Sequence, residues 1–315
     1  MDKRKAYIGY SIFIIFLVIF PLVADSRWLA VGTTFIIYSI VALSQDIVLG
    51  RAGMFDMGHA LFFGLGAYST AILNTVYNVP VMWTIPVAIL LPMVLGVLLA
   101  APIIHLRGDY LLVTTIGFNI VFEQVLKNNL FGITGGPNGI FGIGVPSIFG
   151  FQIMSQQSIY YMSFVVLMIT FIIIRNLETS KVGRALHYLN EDSLAAECIG
   201  INTRFYRLYA FGLGAALAGL AGVLFAVQYA AVSPEAFSFI QSVLFFTIVI
   251  VGGPSSIPGI LIGTFVMFVL PELFRQFATA RYFVFGIAMI LTMILRPRGV
   301  WPAKFGRIPK YIMKD

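Results

Sequence analysis

The sequence predicts an all-α integral membrane protein with about ten membrane-spanning helices. Of its 315 residues, 59% are hydrophobic and only 10% are charged, whereas an ordinary soluble domain carries about 25% charged residues. So little charge cannot cover the surface of a water-soluble protein of this length. The repeated long apolar runs therefore indicate that lipid surrounds most of the chain.

The apolar runs are long enough to cross a bilayer, which takes about 20 helical residues at about 1.5 Å each. Unpaired backbone groups are costly in lipid, so these runs are predicted to be helices. Prolines and glycines crowd together near residues 250–262, where a broken or re-entrant helix is predicted. Ten spans are predicted, at residues 7–24, 28–45, 56–74, 80–104, 110–126, 158–175, 207–230, 239–256, 258–275 and 282–296.

The basic residues predict the orientation, because cytoplasmic loops are enriched in Lys and Arg. With ten spans, sixteen of the 20 Lys and Arg residues lie on the side of both termini and four on the other. Both termini are therefore predicted to be cytoplasmic, with an uncleaved first span. The net charge of +7 flanks the membrane and does not predict nucleic-acid binding. The chain is predicted to be one transmembrane domain, 1–315, with an external loop at 127–157 and a cytoplasmic loop at 176–206.

Motifs for catalysis, metal binding and nucleotide binding are absent from the sequence. It contains no Gly-x-x-x-x-Gly-Lys-Ser/Thr segment to hold ATP phosphates and no Gly-x-Ser-x-Gly nucleophile turn. The histidines, His59, His105 and His187, have no metal-ligand spacing, and the single cysteine, Cys198, has no base or metal partner beside it. We therefore predict no catalytic residue, no metal site and no cofactor bound by this chain.

Acidic residues are scarce in the predicted spans, although ion-coupled carriers place ionisable groups there. The acidic residues nearest to the spans all fall toward span ends: Asp46, Asp56, Asp109, Glu123, Glu235 and Glu272. This distribution disfavours an ion-driven carrier. It favours a transporter whose energy comes from another component.

The predicted cytoplasmic loop contains a segment, residues 182–202, that favours a short helix along the inner membrane surface. Glu191 and Asp192 are predicted near the start of that helix, where the helix dipole favours negative charge. Gly200 and Asn202 are predicted to end it. From composition alone, a connecting helix and a docking element are equally well supported.

Several sequence blocks resemble the branched-chain amino acid permease family of ABC importers. Ala195-Ala196-x-x-x-Gly200 is similar to the core of the coupling loop in these permeases, although Leu194 stands where that motif usually has Glu. The order of the blocks resembles that of the M-type subunit more than that of the H-type subunit. So does the predicted external position of the block that begins at Thr134. The other blocks are Gly50-Arg51-Ala52-Gly53-Met54-Phe55-Asp56-Met57-Gly58-His59-Ala60, Phe62-Phe63-Gly64-Leu65-Gly66-Ala67-Tyr68, Thr134-Gly135-Gly136-Pro137-Asn138-Gly139-Ile140, Gly183-Arg184-Ala185-Leu186, and Ile250-Val251-Gly252-Gly253 with Gly259 and Gly263.

The resemblance implies a permease subunit of the bacterial or archaeal cytoplasmic membrane. Its implied partners are a second permease subunit, two cytoplasmic ATPase subunits that use ATP, an external substrate-binding protein and membrane lipid. The implied coupling contact with the ATPase comprises Arg184, Glu191, Asp192, Ala195, Ala196 and Gly200. The candidate residues lining the substrate path are His59, Phe63, Tyr68, Thr114, Thr115 and Asn119.

Three alternatives stay open at the level of sequence. Relatives in the same family carry urea or short amides, and the external binding protein largely sets substrate choice. A channel or ion-coupled carrier is an alternative of another class, and a membrane-embedded scaffold is a third. For each candidate path residue, a role in helix packing or a place at the membrane boundary explains the residue type at least as well as a place on the substrate path.

Overall fold

The computed structural model describes residues 17–106, 108–129, 132–148, 151–152, 154–273, 290 and 299–301. These residues form a helical bundle in which the strands are only two residues long. Residues 17–23 are helical, and the helices that follow are α1 Ser26–Asp46, α2 Ala60–Thr75, α3 Val81–Ile103, α4 Asp109–Lys127, α5 Gln156–Thr179, α6 Lys181–Glu191, α7 Ser193–Cys198, α8 Thr203–Tyr229, α9 Phe239–Gly252, α10 Ile257–Thr264 and α11 Leu270–Leu273.

Two wide helical turns extend this pattern. A π-type turn, Ile47–Arg51, continues α1, and a second one, Phe265–Val269, joins α10 to α11. The shorter 3₁₀ turns are Gly136–Asn138 and Pro234–Phe237. Such π turns lie in helices where the regular hydrogen-bond ladder is interrupted, frequently at functional sites.

Among the described residues, five helical segments are long and apolar enough to cross a membrane: Ser26–Arg51, Val81–Ile103, Gln156–Thr179, Thr203–Tyr229 and Pro234–Gly252. An all-α, multi-pass integral membrane protein is thereby confirmed at the level of fold class. The count of ten spans and the cytoplasmic termini remain predictions. The start of the first predicted span, the end of the ninth and nearly all of the tenth lie outside the described residues.

Helix α8 lies at the centre of the bundle, where it packs against α1, α2 and α3. A methyl group at Gly66 of α2 would overlap the carbonyl oxygen of Gly219, and one at Gly222 would overlap the carbonyl oxygen of Phe63. Small residues let helix backbones approach closely in lipid, where packing rather than the hydrophobic effect drives association. The α2–α8 contact is therefore backbone against backbone.

The predicted break after α9 is present. Helix α9 ends at Gly252, Gly253 follows with φ 114° and Ser255 with φ 62°, and α10 begins at Ile257. The chain is therefore interrupted at residues 253–256, inside the range 250–262 that the sequence indicated. The predicted span 239–256 is accordingly shorter as a helix, and the predicted span 56–74 begins only at Ala60.

In its described part, the predicted loop 127–157 contains three short strands as well as turns. Strand β1 (Ile140–Phe141) pairs antiparallel with β4 (Ala231–Val232), and β2 (Ser147–Ile148) pairs with β3 (Phe151–Gln152). The first pair attaches this loop to the chain just after α8, where the backbone N–H groups of Gly142 and Ile143 both donate to the carbonyl of Ala230.

Candidate functional site

A buried ion triad occupies the end of α1. The Arg51 Nε donates to Asp46 Oδ2 at 3.1 Å, and Arg51 Nη2 donates to Glu178 Oε1 at 2.9 Å. The Asp46 and Arg51 side chains are 0% and 7% exposed, whereas Glu178, at the end of α5, is 29% exposed. Removing one partner of such a pair leaves the other charge buried and uncompensated, which is strongly destabilising.

The end of α1 also binds Ser255, in the non-helical segment 253–256 that follows α9. The backbone N–H of Ser255 donates to Asp46 Oδ1 at 2.7 Å, and the Ser255 hydroxyl donates to the Gly50 carbonyl at 2.8 Å. The same carbonyl accepts a hydrogen bond from Asn190 Nδ2 of α6, also at 2.8 Å. We call this set the Arg51 junction; its members are Asp46, Gly50, Arg51, Glu178, Asn190 and Ser255.

Two glycines allow the chain to come this close. A Cβ at Gly50 would overlap Asp46 Oδ1, and one at Gly53 would overlap Asn190 Oδ1. Gly53 also has a φ of 65°, which side-chain-bearing residues rarely adopt. The Gly-Arg-Ala-Gly sequence therefore has a local physical reason: both glycines make room for the polar groups that surround Arg51.

A second buried polar network lies at the start of α2. The His59 Nδ1 lies 3.0 Å from Asp56 Oδ2, and His59 Nε2 lies 2.9 Å from the Ser44 hydroxyl. Because a carboxylate only accepts, the Nδ1 proton points at Asp56. The Ser44 hydroxyl contacts both Nε2 and, at 2.6 Å, the Val41 carbonyl. Asp56 Oδ1 accepts from the Gly58 N–H. His59 is fully buried and its ring orientation is fixed from both sides.

Helix α4 is tied to this network through two polar side chains. The Met57 N–H donates to the Thr115 hydroxyl at 3.1 Å. Asn119 Nδ2 donates to the Phe237 carbonyl at 3.2 Å, while Asn119 Oδ1 accepts from the Ser242 hydroxyl at 3.1 Å. The Ser242 oxygen in turn accepts from the Ala60 N–H, which satisfies the first turn of α2. One chain of hydrogen bonds thus joins α2, α4 and α9.

Aromatic rings fill the space beside this network. Phe63 is fully buried, and its ring centroid lies 5.2 Å from those of Phe225 and Phe237 and 5.7 Å from that of Phe245. The edge-to-face angles are those that aromatic pairs prefer. Tyr68 packs on Phe237, with its buried hydroxyl making no hydrogen bond within the described part of the chain.

The segment that is predicted to be cytoplasmic contains two helices, α6 and α7, where one short helix is predicted. The predicted helix, with Glu191 and Asp192 near its start, corresponds to α7. Helix α6, whose last residue is Glu191, was not predicted. Asp192 is extended (φ −154°, ψ 108°) and its carboxylate accepts from the N–H groups of Leu194 and Ala195, at 2.9 and 3.2 Å. Asp192 is therefore an N-cap residue that separates α6 from α7.

The end of α7 matches the predicted stop. Gly200 has a φ of 83°, the left-handed conformation that follows many helices. The Asn202 side chain accepts from the Phe205 N–H and so caps the start of α8. Gly200 therefore has its predicted role at the end of α7, whereas Asn202 begins the next helix instead of ending this one.

The two short helices have one buried and one exposed side. The inward residues are Ala185, Leu186, Leu189 and Ala196. On the other side, Tyr188, Leu194 and Ile199 are 52%, 59% and 67% exposed. Exposed apolar side chains among charged ones are typical of a surface that contacts another protein.

The predicted coupling residues fall on this segment with different surroundings. Glu191, Asp192, Ala195 and Gly200 are exposed, and Ala196 is buried. Arg184 is exposed, and its Nη1 donates to the Thr179 carbonyl at 3.1 Å. The six residues therefore lie on one segment of the chain, residues 184–200, and their contact with an ATPase stays a prediction.

The predicted path residues lie on α2 and α4. His59, Phe63 and Asn119 are fully buried, Tyr68 and Thr115 are nearly so, and Thr114 is partly exposed. The structure brings His59, Thr115 and Asn119 into the linked networks around α2, and Phe63 and Tyr68 into the aromatic cluster. Thr114 instead bonds to its own helix, at the Tyr110 carbonyl.

The sequence analysis did not identify the Arg51 junction. Arg51 was counted as a membrane-flanking charge and Asp46 as a residue near a span end, yet both are buried. The signal available in the sequence was Asp and Arg five residues apart at the end of an apolar run, followed by glycine. Ser255, Glu178 and Asn190 are too far away in sequence to be assigned to the same site.

No cluster of three or more His, Cys, Asp or Glu side chains able to hold a metal ion occurs in the described ranges. Cys198 is exposed on α7 and unbonded to another cysteine. Many of the buried polar groups are bonded to one another, and these bonds tie the surrounding helices together.

Comparison with known proteins extends this description. The chain is 32% identical to the high-affinity branched-chain amino acid transport system permease protein LivM of Escherichia coli, over 90% of this chain and 72% of that protein. It is 26% identical to the permease protein BraD of Pseudomonas aeruginosa, over 86% and 92% of the two chains. It is 25% identical to the permease protein LivH of Escherichia coli, over 84% and 90%. No solved structure matches the chain.

The family assignment follows from a match that covers most of the chain. The family model described as a branched-chain amino acid transport system permease component matches residues 28–293. This range contains the Arg51 junction, the network at His59 and helices α6 and α7. The resemblance found in the sequence motifs is thereby confirmed: the chain belongs to the family of branched-chain amino acid transport system permease components.

Proposed function

We propose that this chain is the M-type membrane subunit of an ATP-driven importer that moves branched-chain aliphatic amino acids across a bacterial or archaeal cytoplasmic membrane. The family match over residues 28–293 carries the proposal. The identity of 32% with an M-type permease protein, against 25% with an H-type one, supports the choice of subunit.

The proposed assembly contains a second, different permease subunit, two cytoplasmic ATPase subunits and an external substrate-binding protein. ATP is bound and hydrolysed by the ATPase subunits, and this chain holds no cofactor. The paired state of the buried acids supports an external energy source: Asp46 is bonded to Arg51, and Asp56 to His59. Neither carboxylate is free to bind a coupling ion without first losing its partner.

The α6–α7 segment is proposed as the contact with the ATPase subunit. Asp192 and Gly200 shape α7 at its two ends, and Ala196 anchors it on the rest of the chain. Glu191 and Ala195 present an exposed face, and Leu194 offers an apolar contact where related permeases carry Glu. Arg184 holds the start of α6 against the end of α5. Closing of the ATPase pair would then push on α7 as a unit.

The proposed substrate path runs along α2 and α4, past His59, Phe63, Tyr68, Thr114, Thr115 and Asn119. Since His59, Phe63 and Asn119 are fully buried, a substrate can touch them only after the surrounding helices separate. Apolar and aromatic walls with few polar groups suit an aliphatic side chain that must bind weakly and leave again.

Reconstitution of the complex tests this function. The chain is co-expressed with a second permease subunit, the ATPase subunits and the binding protein of the proposed assembly, and the purified complex is placed in liposomes. We expect ATP hydrolysis that rises with leucine-loaded binding protein, together with leucine uptake. Uptake of urea instead would favour the urea-type alternative. Uptake driven by an ion gradient without ATPase subunits would contradict the proposal.

A matched pair of variants tests the proposed docking surface. Ala195→Arg places a long cation on the exposed face of α7, and Asn176→Arg places the same side chain on an exposed position of α5. Because a bulky charge in a packed interface removes contacts and adds a desolvation cost, we expect Ala195→Arg to lose co-purifying ATPase subunit. Asn176→Arg should retain it. Equal recovery of the ATPase with both variants would contradict docking at α7.

A further inference from the structure

The Arg51 junction connects the α6 helix of the cytoplasmic segment with the interrupted region after α9. We propose that Glu178 and Asn190 are positioning residues, through which displacement of α6 and α7 is transmitted to residues 253–256 and to the loop that leads to His59. This inference rests on the proposed transport function, and it concerns residues outside the proposed ATPase contact and substrate path.

One half of the junction is held together firmly. Asp46 is fully buried, and its two carboxylate oxygens bind different groups: Oδ2 binds Arg51, and Oδ1 binds the Ser255 backbone. The Ser255 hydroxyl adds a bond to Gly50. Since breaking any of these contacts would leave a buried polar group unsatisfied, the end of α1 and the interruption at 253–256 move together.

The other half is held by two side chains at the surface of the cytoplasmic segment. Glu178, at the end of α5, reaches Arg51, and Asn190, in the last turn of α6, reaches Gly50. Glu178 is partly exposed and Asn190 is exposed. These contacts can therefore lengthen or re-form at lower cost than the buried ones, as a joint between two more rigid parts requires.

The loop beyond Arg51 supplies the connection to the interior. Met54 donates its backbone N–H to the Val48 carbonyl, and Gln45 Nε2 donates to the Asp56 carbonyl at 2.9 Å. Asp56 in turn orients His59. Hydrogen bonds therefore connect the chain around Gly50 and Arg51 with the start of α2, only a few residues further on. We expect a movement of the Gly50–Arg51 backbone to displace Asp56 and His59.

The test compares Glu178→Ala and Asn190→Ala in the assembled complex with Glu272→Ala as the control. Glu272 is 20% exposed, close to the 29% of Glu178, and is bonded to Arg27, which is 61% exposed; neither residue is a member of the Arg51 junction. The measured quantity is the coupling ratio, the number of leucine molecules taken up per ATP hydrolysed in liposomes. Losing one charge-assisted contact shifts an equilibrium by about fivefold or more, and we expect a fall of that size for Glu178→Ala.

The coupling ratio separates transmission from simple loss of structure. We expect ATP hydrolysis to persist in both junction variants while leucine uptake falls, and the Glu272→Ala ratio to match the wild type. An unchanged ratio in Glu178→Ala and Asn190→Ala, or uptake and hydrolysis that fall in proportion, would overturn the proposal. A wild-type complex without leucine-stimulated hydrolysis would instead refute the proposed function, so the two failures are distinguishable.

Discussion

Helices α8 and α3 have nearly equal hydropathy and opposite burial. The mean hydropathy of their most apolar windows is 2.1 and 2.4, yet 89% of the α8 window is buried and only 28% of the α3 window. The difference lies in residue size: α8 carries repeated Gly and Ala, whereas the outward positions of α3 carry Trp83, Leu90 and Leu98. In lipid, hydropathy places a segment in the membrane, and side-chain size decides whether it is inside the bundle.

The largest expected effect on protein recovery comes from replacing a tightly packed glycine, Gly66, in comparison with an open one, Gly117. Gly66→Leu inserts a side chain where even a Cβ would overlap the Gly219 carbonyl, whereas Gly117 of α4 has no atom within 4 Å of an added Cβ. We expect Gly66→Leu to abolish recovery of monodisperse protein after detergent extraction, because the α2–α8 backbones cannot separate without losing their packing. Gly117→Leu should extract as the wild type does. Equal recovery would show that the α2–α8 contact does not hold the bundle together.

The next effect compares a buried and an exposed arginine. Arg51→Gln leaves Asp46 buried without a cation and is expected to cost about 3–5 kcal/mol. Arg27→Gln, at a position 61% exposed, is expected to cost about 1 kcal/mol or less. Thermal unfolding midpoints of the detergent-purified variants measure the difference.

A double variant sharpens this comparison. Asp46→Asn with Arg51→Gln removes both charges and keeps an oxygen that can accept from the Ser255 N–H. We expect it to be more stable than Arg51→Gln alone, since Asp46 no longer leaves a fully buried charge unpaired, and Glu178, which loses Arg51 in both variants, is partly exposed. A double variant no better than the single one would mean that Asp46 already finds another partner.

Buried and exposed leucines give a third comparison. Leu224 of α8 is 1% exposed and Leu98 of α3 is 60% exposed. Leu224→Ala should lower stability by about 2–5 kcal/mol through the cavity it leaves. Leu98→Ala removes contacts mainly with lipid and should lie within about 0.5 kcal/mol of the wild type. Similar shifts in unfolding midpoint for both would contradict the assignment of α8 to the interior.

The positions of the helices along the chain could be predicted from the sequence better than the contacts between them. Apolar runs and glycine positions are local, so the fold class, the end of α7 at Gly200 and the interruption near Gly253 were all accessible. The cap at Asp192 was also local, but its acidic side chain was interpreted through the helix dipole alone, and α6 was not predicted.

The Arg51 junction could not be predicted because its members come together only in the folded chain. Asp46 and Ser255 are 209 residues apart, and Arg51 and Glu178 are 127 apart. A charge at the end of an apolar run can either flank the membrane or pair inside the bundle, and local sequence does not separate these outcomes. The family resemblance identified the motif around Arg51 but not the contacts that the motif makes.

The smallest of the expected effects concerns Asn119 on α4, a helix that is buried on one side only. Asn119→Ala removes the hydrogen bonds to the Phe237 carbonyl and the Ser242 hydroxyl and should cost about 1–3 kcal/mol, since both partners stay buried. Gln124→Ala, at an exposed position of the same helix, should change the unfolding midpoint little. If the two variants unfold alike, the Asn119 bonds add nothing to the apolar contacts of α4 and to the Met57–Thr115 hydrogen bond. A selective loss in Asn119→Ala would instead show that this amide helps to fix the peripheral helix to the interior, and with it the proposed path residue Thr115 one turn away.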